Sequence, residues 1–157
     1  MNLLLNTLEV IEELNLSRIR GKLMLPIPEG KGWTLEQTDN AEKLYKRFLT
    51  LCIKYPQARL VPSKFIDEFW HMHILDTKKY AEDCQEMFGE FMHHYPYSGV
   101  INEEDSEIKT KDDLDECFKQ TSELYFIEFG ESYLTKQNTE MAMAGDYEGN
   151  PNTCSRS

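Results

Sequence analysis

The spacing of apolar residues behind Thr34 is the sequence feature that most constrains the fold. Apolar side chains recur there every three or four residues over about five turns, which is the period of an α-helix. They are Ala41, Leu44, Tyr45, Phe48, Cys52 and Tyr55. Thr34 and Gln37 have the spacing of a capping box, in which each side chain satisfies an orphan backbone donor. The pattern predicts a long amphipathic helix that buries one face.

Shorter stretches with the same period predict four more helices. One covers residues 3–14, Ser63 and Asp76 are candidate N-caps of the next two, and the last begins at Asp112 or Asp113. Residues 18–32 contain several prolines and glycines, so we predict an irregular connector there. No segment shows the alternation typical of a strand. The chain is therefore predicted to be all-α, a compact bundle of about five helices in which the third and fourth form a short hairpin.

The length of 157 residues suits one domain with its own core. We place this domain at residues 1–134. Apolar periodicity fades after residue 134, so residues 135–157 are predicted to be a disordered tail. No apolar run approaches the roughly 20 residues that a membrane span needs, and no membrane association is expected.

The net charge of −11 is concentrated in the last third of the chain. Residues 1–102 carry 14 acids and 12 bases, whereas residues 103–157 carry 14 acids and 5 bases. Clustered lysine and arginine are needed to bind phosphates, so nucleic acid is not an expected partner. The four cysteines form no C-x-x-C pair and are read as reduced thiols of a cytoplasmic protein.

The most distinctive segment runs from Asp67 to His94 and contains all four histidines. Its D-x-x-W-H-x-H sequence is followed by Tyr80 and Asp83, and then by Gly89 and His94. With Trp33–Gln37 and Val61–Ser63 before it, this pattern resembles the glycine-rich domain-containing protein-like family over residues 33–130, in particular its small bacterial members. The resemblance implies a domain assignment but no reaction or cofactor. Plant members are linked to stress responses and carry a glycine-rich extension, which this chain lacks.

Helix geometry limits which of these groups can share a metal ion. Asp67 and His71 are four residues apart and lie on one helix face. His71 and His73 lie about 200° apart, so a continuous helix keeps them from binding the same ion. In an antiparallel hairpin His71 lies level with about position 81, within reach of the side chains Tyr80, Asp83 and Cys84. Pro96 and Gly99 are expected to end the fourth helix, which places His94 about 20 Å further along and keeps it from joining His71 unless the hairpin is broken.

These limits leave two interpretations of the segment. In the first, Asp67, His71 and Asp83 bind a divalent transition metal, joined by His73 if the helix ends near Met72. In the second, the carboxylates only hydrogen-bond buried histidines. Four further residues are assigned to a pocket or structural signature: Trp70, Tyr80, Cys84 and His94.

Two functional hypotheses follow from these interpretations. The leading one is a small cytosolic binding or interaction protein that uses the segment 67–94 as its pocket or surface, and a protein is one candidate partner. The alternative is a metal-dependent enzyme with its site at Asp67, His71 and Asp83. The sequence identifies neither a substrate nor the partner.

Overall fold

Six α-helices account for most of the computed structural model, which describes residues 3–95, 111–133 and 153–156. Two short strands complete the described part. The elements are α1 (Leu3–Glu13), α2 (Ser17–Met24), α3 (Leu35–Lys54), α4 (Lys64–Leu75), α5 (Thr77–Phe88), β1 (Met92–Tyr95), α6 (Lys111–Phe129) and β2 (Thr153–Arg156). The predicted all-α class is confirmed.

Helix α3 is the central element of the core. It packs against α1, α2, α4 and α6. Its buried face follows the predicted period and includes the fully buried Tyr45 and Phe48. The predicted capping box is present, because the Thr34 hydroxyl accepts from the Gln37 amide while the Gln37 side chain accepts from the Thr34 amide.

The prediction of an irregular connector over residues 18–32 was wrong in its first part, where the chain forms α2. Ile19 and Leu23 lie one turn apart on this helix and are buried. The irregular segment begins only after α2 and folds back tightly on it. A Cβ atom at Gly30 would lie 2.2 Å from the Lys22 carbonyl oxygen, so this position accepts only glycine without a backbone shift.

Helices α4 and α5 form the predicted hairpin. The Ser63 hydroxyl caps α4 by accepting from the Ile66 amide. Asp76 stands at the N-cap position of α5, but its side chain makes no capping hydrogen bond. The predicted continuation of this helix to Pro96 was wrong: α5 ends at Phe88, and Gly89 follows with a left-handed φ of 71°. Because the helix stops here, the next residues can leave its axis and return toward α4 as β1.

Strand β1 pairs antiparallel with β2, with His94 opposite Cys154 in the register. Most of the predicted disordered tail, like Pro96, lies outside the described residues, so that prediction stays untested. Helix α6 docks through Thr121, whose hydroxyl accepts from the Val61 amide. Tyr133, just beyond α6, is buried and donates its hydroxyl to the Val61 carbonyl.

Candidate metal centre

Three side chains from the signature segment converge at one point of the structure. Nε2 of His94 lies 2.8 Å from Oδ1 of Asp67. Nε2 of His71 lies 3.2 Å from Oδ2 of Asp67 and 2.9 Å from Nε2 of His94. The two histidines and the carboxylate therefore form a triad in which every pair is in contact.

Helix α4 and strand β1 position this triad. Asp67 and His71 are one turn apart on α4, as their spacing predicted. Side chains alternate between the two faces of a strand. On β1 this alternation places Met92 and His94 inward and leaves His93 exposed.

The expected 20 Å separation of His94 from His71 was wrong. It assumed that α5 runs on to Pro96, whereas the chain turns back after Gly89. The signal that could have found His94 is Gly89 itself, since glycine directly after an apolar helical run is the commonest helix C-terminus.

The triad is buried on one side and open on the other. The side chains of Asp67 and His94 are 1% and 8% exposed, whereas that of His71 is 46% exposed. Burial lowers the pKa of His71, with the Asp67 charge opposing this effect and His94 adding to it. His71 is therefore neutral at pH 7, and a neutral imidazole has the lone pair that a metal requires.

Hydrogen bonds alone cannot make all three contacts favourable while Asp67 is ionised. Each Nε2 atom offers either one hydrogen or one lone pair, and a carboxylate only accepts. If both nitrogens carry hydrogens, each can donate to a carboxylate oxygen, but neither has a lone pair left for the contact between His71 and His94. If only one does, the other nitrogen turns its lone pair toward a carboxylate oxygen. A cation at the centre would attract all three groups at once.

The distances also match those between the ligands of a metal ion. Ligand atoms about 2.1 Å from a metal lie about 3.0 Å apart at a right angle and about 3.4 Å apart at the tetrahedral angle. The three contacts, at 2.8, 2.9 and 3.2 Å, lie within or slightly below this range, with Asp67 using Oδ1 toward His94 and Oδ2 toward His71. Two imidazoles and a carboxylate form a ligand set that suits divalent transition metals.

The other two residues of the predicted metal set, His73 and Asp83, form a separate network. Nε2 of His73 lies 2.8 Å from Oδ2 of Asp83, and its Nδ1 lies 2.7 Å from the Tyr45 hydroxyl. The pKa of Asp83 is lowered by its hydrogen bonds, so this carboxylate accepts from Nε2 of His73. In the tautomer that donates from Nε2, Nδ1 carries the lone pair and accepts from the Tyr45 hydroxyl. Both ring nitrogens of His73 are engaged, and the structure does not bring this pair to His71.

The separation of His71 from His73 has a simple cause. Helix α4 continues to Leu75, so the two side chains leave opposite sides of the helix. His73 is buried against α3 and α5, whereas His71 reaches the surface.

The remaining signature residues lie in the core beside the triad. Trp70, Tyr80 and Cys84 are all buried. The Trp70 ring packs against the His94 ring with their centroids 4.3 Å apart. Cys84 lies in the hydrophobic core, where a thiol behaves as a small apolar group.

A cleft of about 370 Å³ beside α2 and α3 is another candidate site among the described residues. Charged side chains line it, and they pair with one another: Arg20 binds Asp39 and Glu42, and Lys46 binds Glu42. This internal pairing leaves the triad as the better candidate site.

Comparison with known families shows to which family the chain belongs. The model of the UCP032817-like family matches residues 13–125, which is well over half of the chain and includes the whole triad. The protein therefore belongs to the UCP032817-like family. No curated protein and no solved structure matches it. The resemblance to the glycine-rich domain-containing protein-like family stays a prediction.

Proposed function

We propose that this protein binds a divalent transition metal through Asp67, His71 and His94. The observation that carries the proposal is the convergence of the three side chains, which can each supply one ligand atom within 4.8 Å of the other two. A hydrogen-bond network with an ionised carboxylate leaves one of these contacts repulsive, whereas a cation makes all three attractive. This ligand set differs from the one predicted from the sequence, because His94 joins Asp67 and His71, whereas His73 and Asp83 form a separate network.

Three protein ligands are characteristic of metal sites that keep a position open for water or substrate. The exposure of the His71 side chain gives such a position access to solvent. This arrangement favours the metal-dependent enzyme hypothesis over a closed structural site, which would surround the ion with four protein ligands.

A binding or interaction role for the segment 67–94 remains the second proposal. It is supported by two large apolar side chains of the segment that are exposed, Leu75 and Phe91. Both roles fit a cytoplasmic protein, since Cys52, Cys84 and Cys117 are buried thiols. Among the described residues, no helix has the length and apolarity to span a membrane.

Cobalt titration of tag-free protein tests the metal proposal. Co²⁺ reports its own coordination through visible absorption, and we expect saturation at one ion per chain. His71→Ala, His94→Ala and Asp67→Ala each remove one of three ligands and should weaken Co²⁺ binding at least about 100-fold. Outer-shell changes alone cost 10- to 100-fold in metal affinity.

His93→Ala is the matched control, because His93 adjoins His94 in sequence but faces outward from β1. It should bind Co²⁺ like the unaltered protein. Equal loss in His93→Ala and His94→Ala would contradict the assigned site. Absence of stoichiometric binding in the unaltered protein would reject the metal proposal and leave the interaction role.

A further inference from the structure

The hydroxyl of Tyr80 connects the three elements that surround the triad. It accepts a hydrogen bond from Nε1 of Trp70 on α4, at 3.0 Å. It donates a hydrogen bond to the backbone carbonyl of Met92 on β1, at 2.5 Å. Tyr80 itself belongs to α5, and all three residues are buried. One hydroxyl therefore links α4, α5 and the first residue of β1.

The position of Met92 determines where His94 can reach. The two residues are separated by one residue of the strand and share its inward face. The Tyr80 bond fixes the Met92 carbonyl relative to α4, which carries Asp67 and His71. The Trp70 indole, held by the same hydroxyl, packs on the His94 ring and limits its rotation. The Tyr80 hydroxyl therefore restrains His94 in two ways, through the Met92 backbone and through the Trp70 ring.

We infer that Tyr80 is a positioning residue that holds His94 in place as the third ligand of the proposed metal site. The inference rests on the proposed function. Tyr80 lies outside the ligand triad, and its effect passes through the Met92 backbone and the Trp70 ring. Groups of this kind orient metal ligands, and their removal typically weakens metal binding 10- to 100-fold.

Tyr80→Phe tests this role because it removes the hydroxyl and keeps the buried ring. Tyr45→Phe is a matched control: it deletes a hydroxyl that is equally buried but bonds to His73 rather than to β1. We expect Co²⁺ affinity to fall at least about 10-fold in Tyr80→Phe and to stay within about 2-fold in Tyr45→Phe. Thermal unfolding measures the stability of both variants. If Tyr80 had a purely structural role, its loss would lower the stability without producing this difference in Co²⁺ affinity.

A metal-free measurement keeps the inference separate from the proposed function. The ring current of Trp70 makes the NMR signals of the His94 ring sensitive to its position. In metal-free Tyr80→Phe these signals should shift, whereas in Tyr45→Phe they should not. Unmoved His94 signals, or equal losses of affinity in the two variants, would overturn the positioning role. If the unaltered protein binds no Co²⁺ but the His94 signals shift as expected, the proposed function fails and the positioning of His94 stands.

Discussion

Histidines that are close in the sequence have different environments in this protein, because they lie on different faces of the same helix or strand. His71 and His73, two residues apart on α4, face a half-open site and a closed core network respectively. His93 and His94, adjacent on β1, face outward and inward. Two histidines out of four are therefore placed to bind one ion, although all four lie within one short segment of the sequence.

Asp83 illustrates how the closed network contributes to stability. Burial acts to raise its pKa, but hydrogen bonds from His73 and Lys79 outweigh this effect, and the pKa is lowered. A carboxyl group whose pKa is lowered by folding stabilises the native state above its unfolded pKa. This contribution is lost as the pH falls through the folded pKa, below about 4.

We predict that Asp83→Asn lowers the free energy of unfolding at pH 7 by about 1.5–3 kcal/mol, the typical value of hydrogen bonds to a charged group. The difference from the unaltered protein should shrink as the pH falls below about 4, because protonation then removes the same charge. Urea unfolding between pH 7 and pH 3 measures it. A difference that does not vary with pH would show that the Asp83 charge is not what stabilises the network.

The sequence predicted well those elements in which apolar residues recur at helical spacing over several turns. Helix α3 and the α4–α5 hairpin follow from apolar spacing and the caps at Thr34 and Ser63. Helix α2 was missed because its eight residues adjoin a segment rich in proline and glycine. Strand β1 was missed because its four residues were read as the end of a helix.

The candidate site was predicted only as far as local geometry extends. Asp67 and His71 share one helix, so their proximity follows from spacing alone. The third group depends on the turn after α5, and the direction of the chain there is set by the left-handed backbone at Gly89. Helical periodicity contains no information about that direction, and His94 was therefore placed too far away.

A pair of glycine substitutions tests this account of the turn. Gly89 has a φ of 71° with no atom near its missing Cβ, so Gly89→Ala should cost about 1–2 kcal/mol through backbone strain alone. Gly21 lies within α2 and has equally open surroundings. Gly21→Ala should therefore stabilise the protein by about 0.5–1 kcal/mol. Urea unfolding of both variants gives the two signs, and a stabilising Gly89→Ala would contradict the turn.

For the whole molecule, the buried core extends from Ile11 to Tyr133. α6 and the residues just after it join the rest through the buried Tyr125 and through the Val61 hydrogen bonds to Thr121 and Tyr133. The Lys54–Glu128 ion pair reinforces this contact at 2.6 Å. The domain boundary predicted at residue 134 falls immediately after these contacts.

We predict that a chain ending at residue 134 retains the stability of the full chain, with a Tm within about 1 °C. The reason is that all core residues with a described burial lie at or before Tyr133, so they and the contacts of Tyr133 are kept, although the truncation removes the β2 partner of β1. Differential scanning calorimetry of the two chains measures the change. A Tm lower by more than about 5 °C, roughly 1–2 kcal/mol at this size, would show that the removed segment belongs to the fold.

Metal content after purification without a histidine tag tests the central claim most directly. Elemental analysis should find about one divalent transition-metal ion per chain in the unaltered protein and in His73→Asn, provided that this variant folds. It should find essentially none in His94→Ala. This result would show that the ion needs His94 and does not need His73, as the proposed triad requires. Retention of the ion in folded His94→Ala, or a metal-free unaltered protein that also takes up no added Zn²⁺ or Co²⁺, would contradict the account.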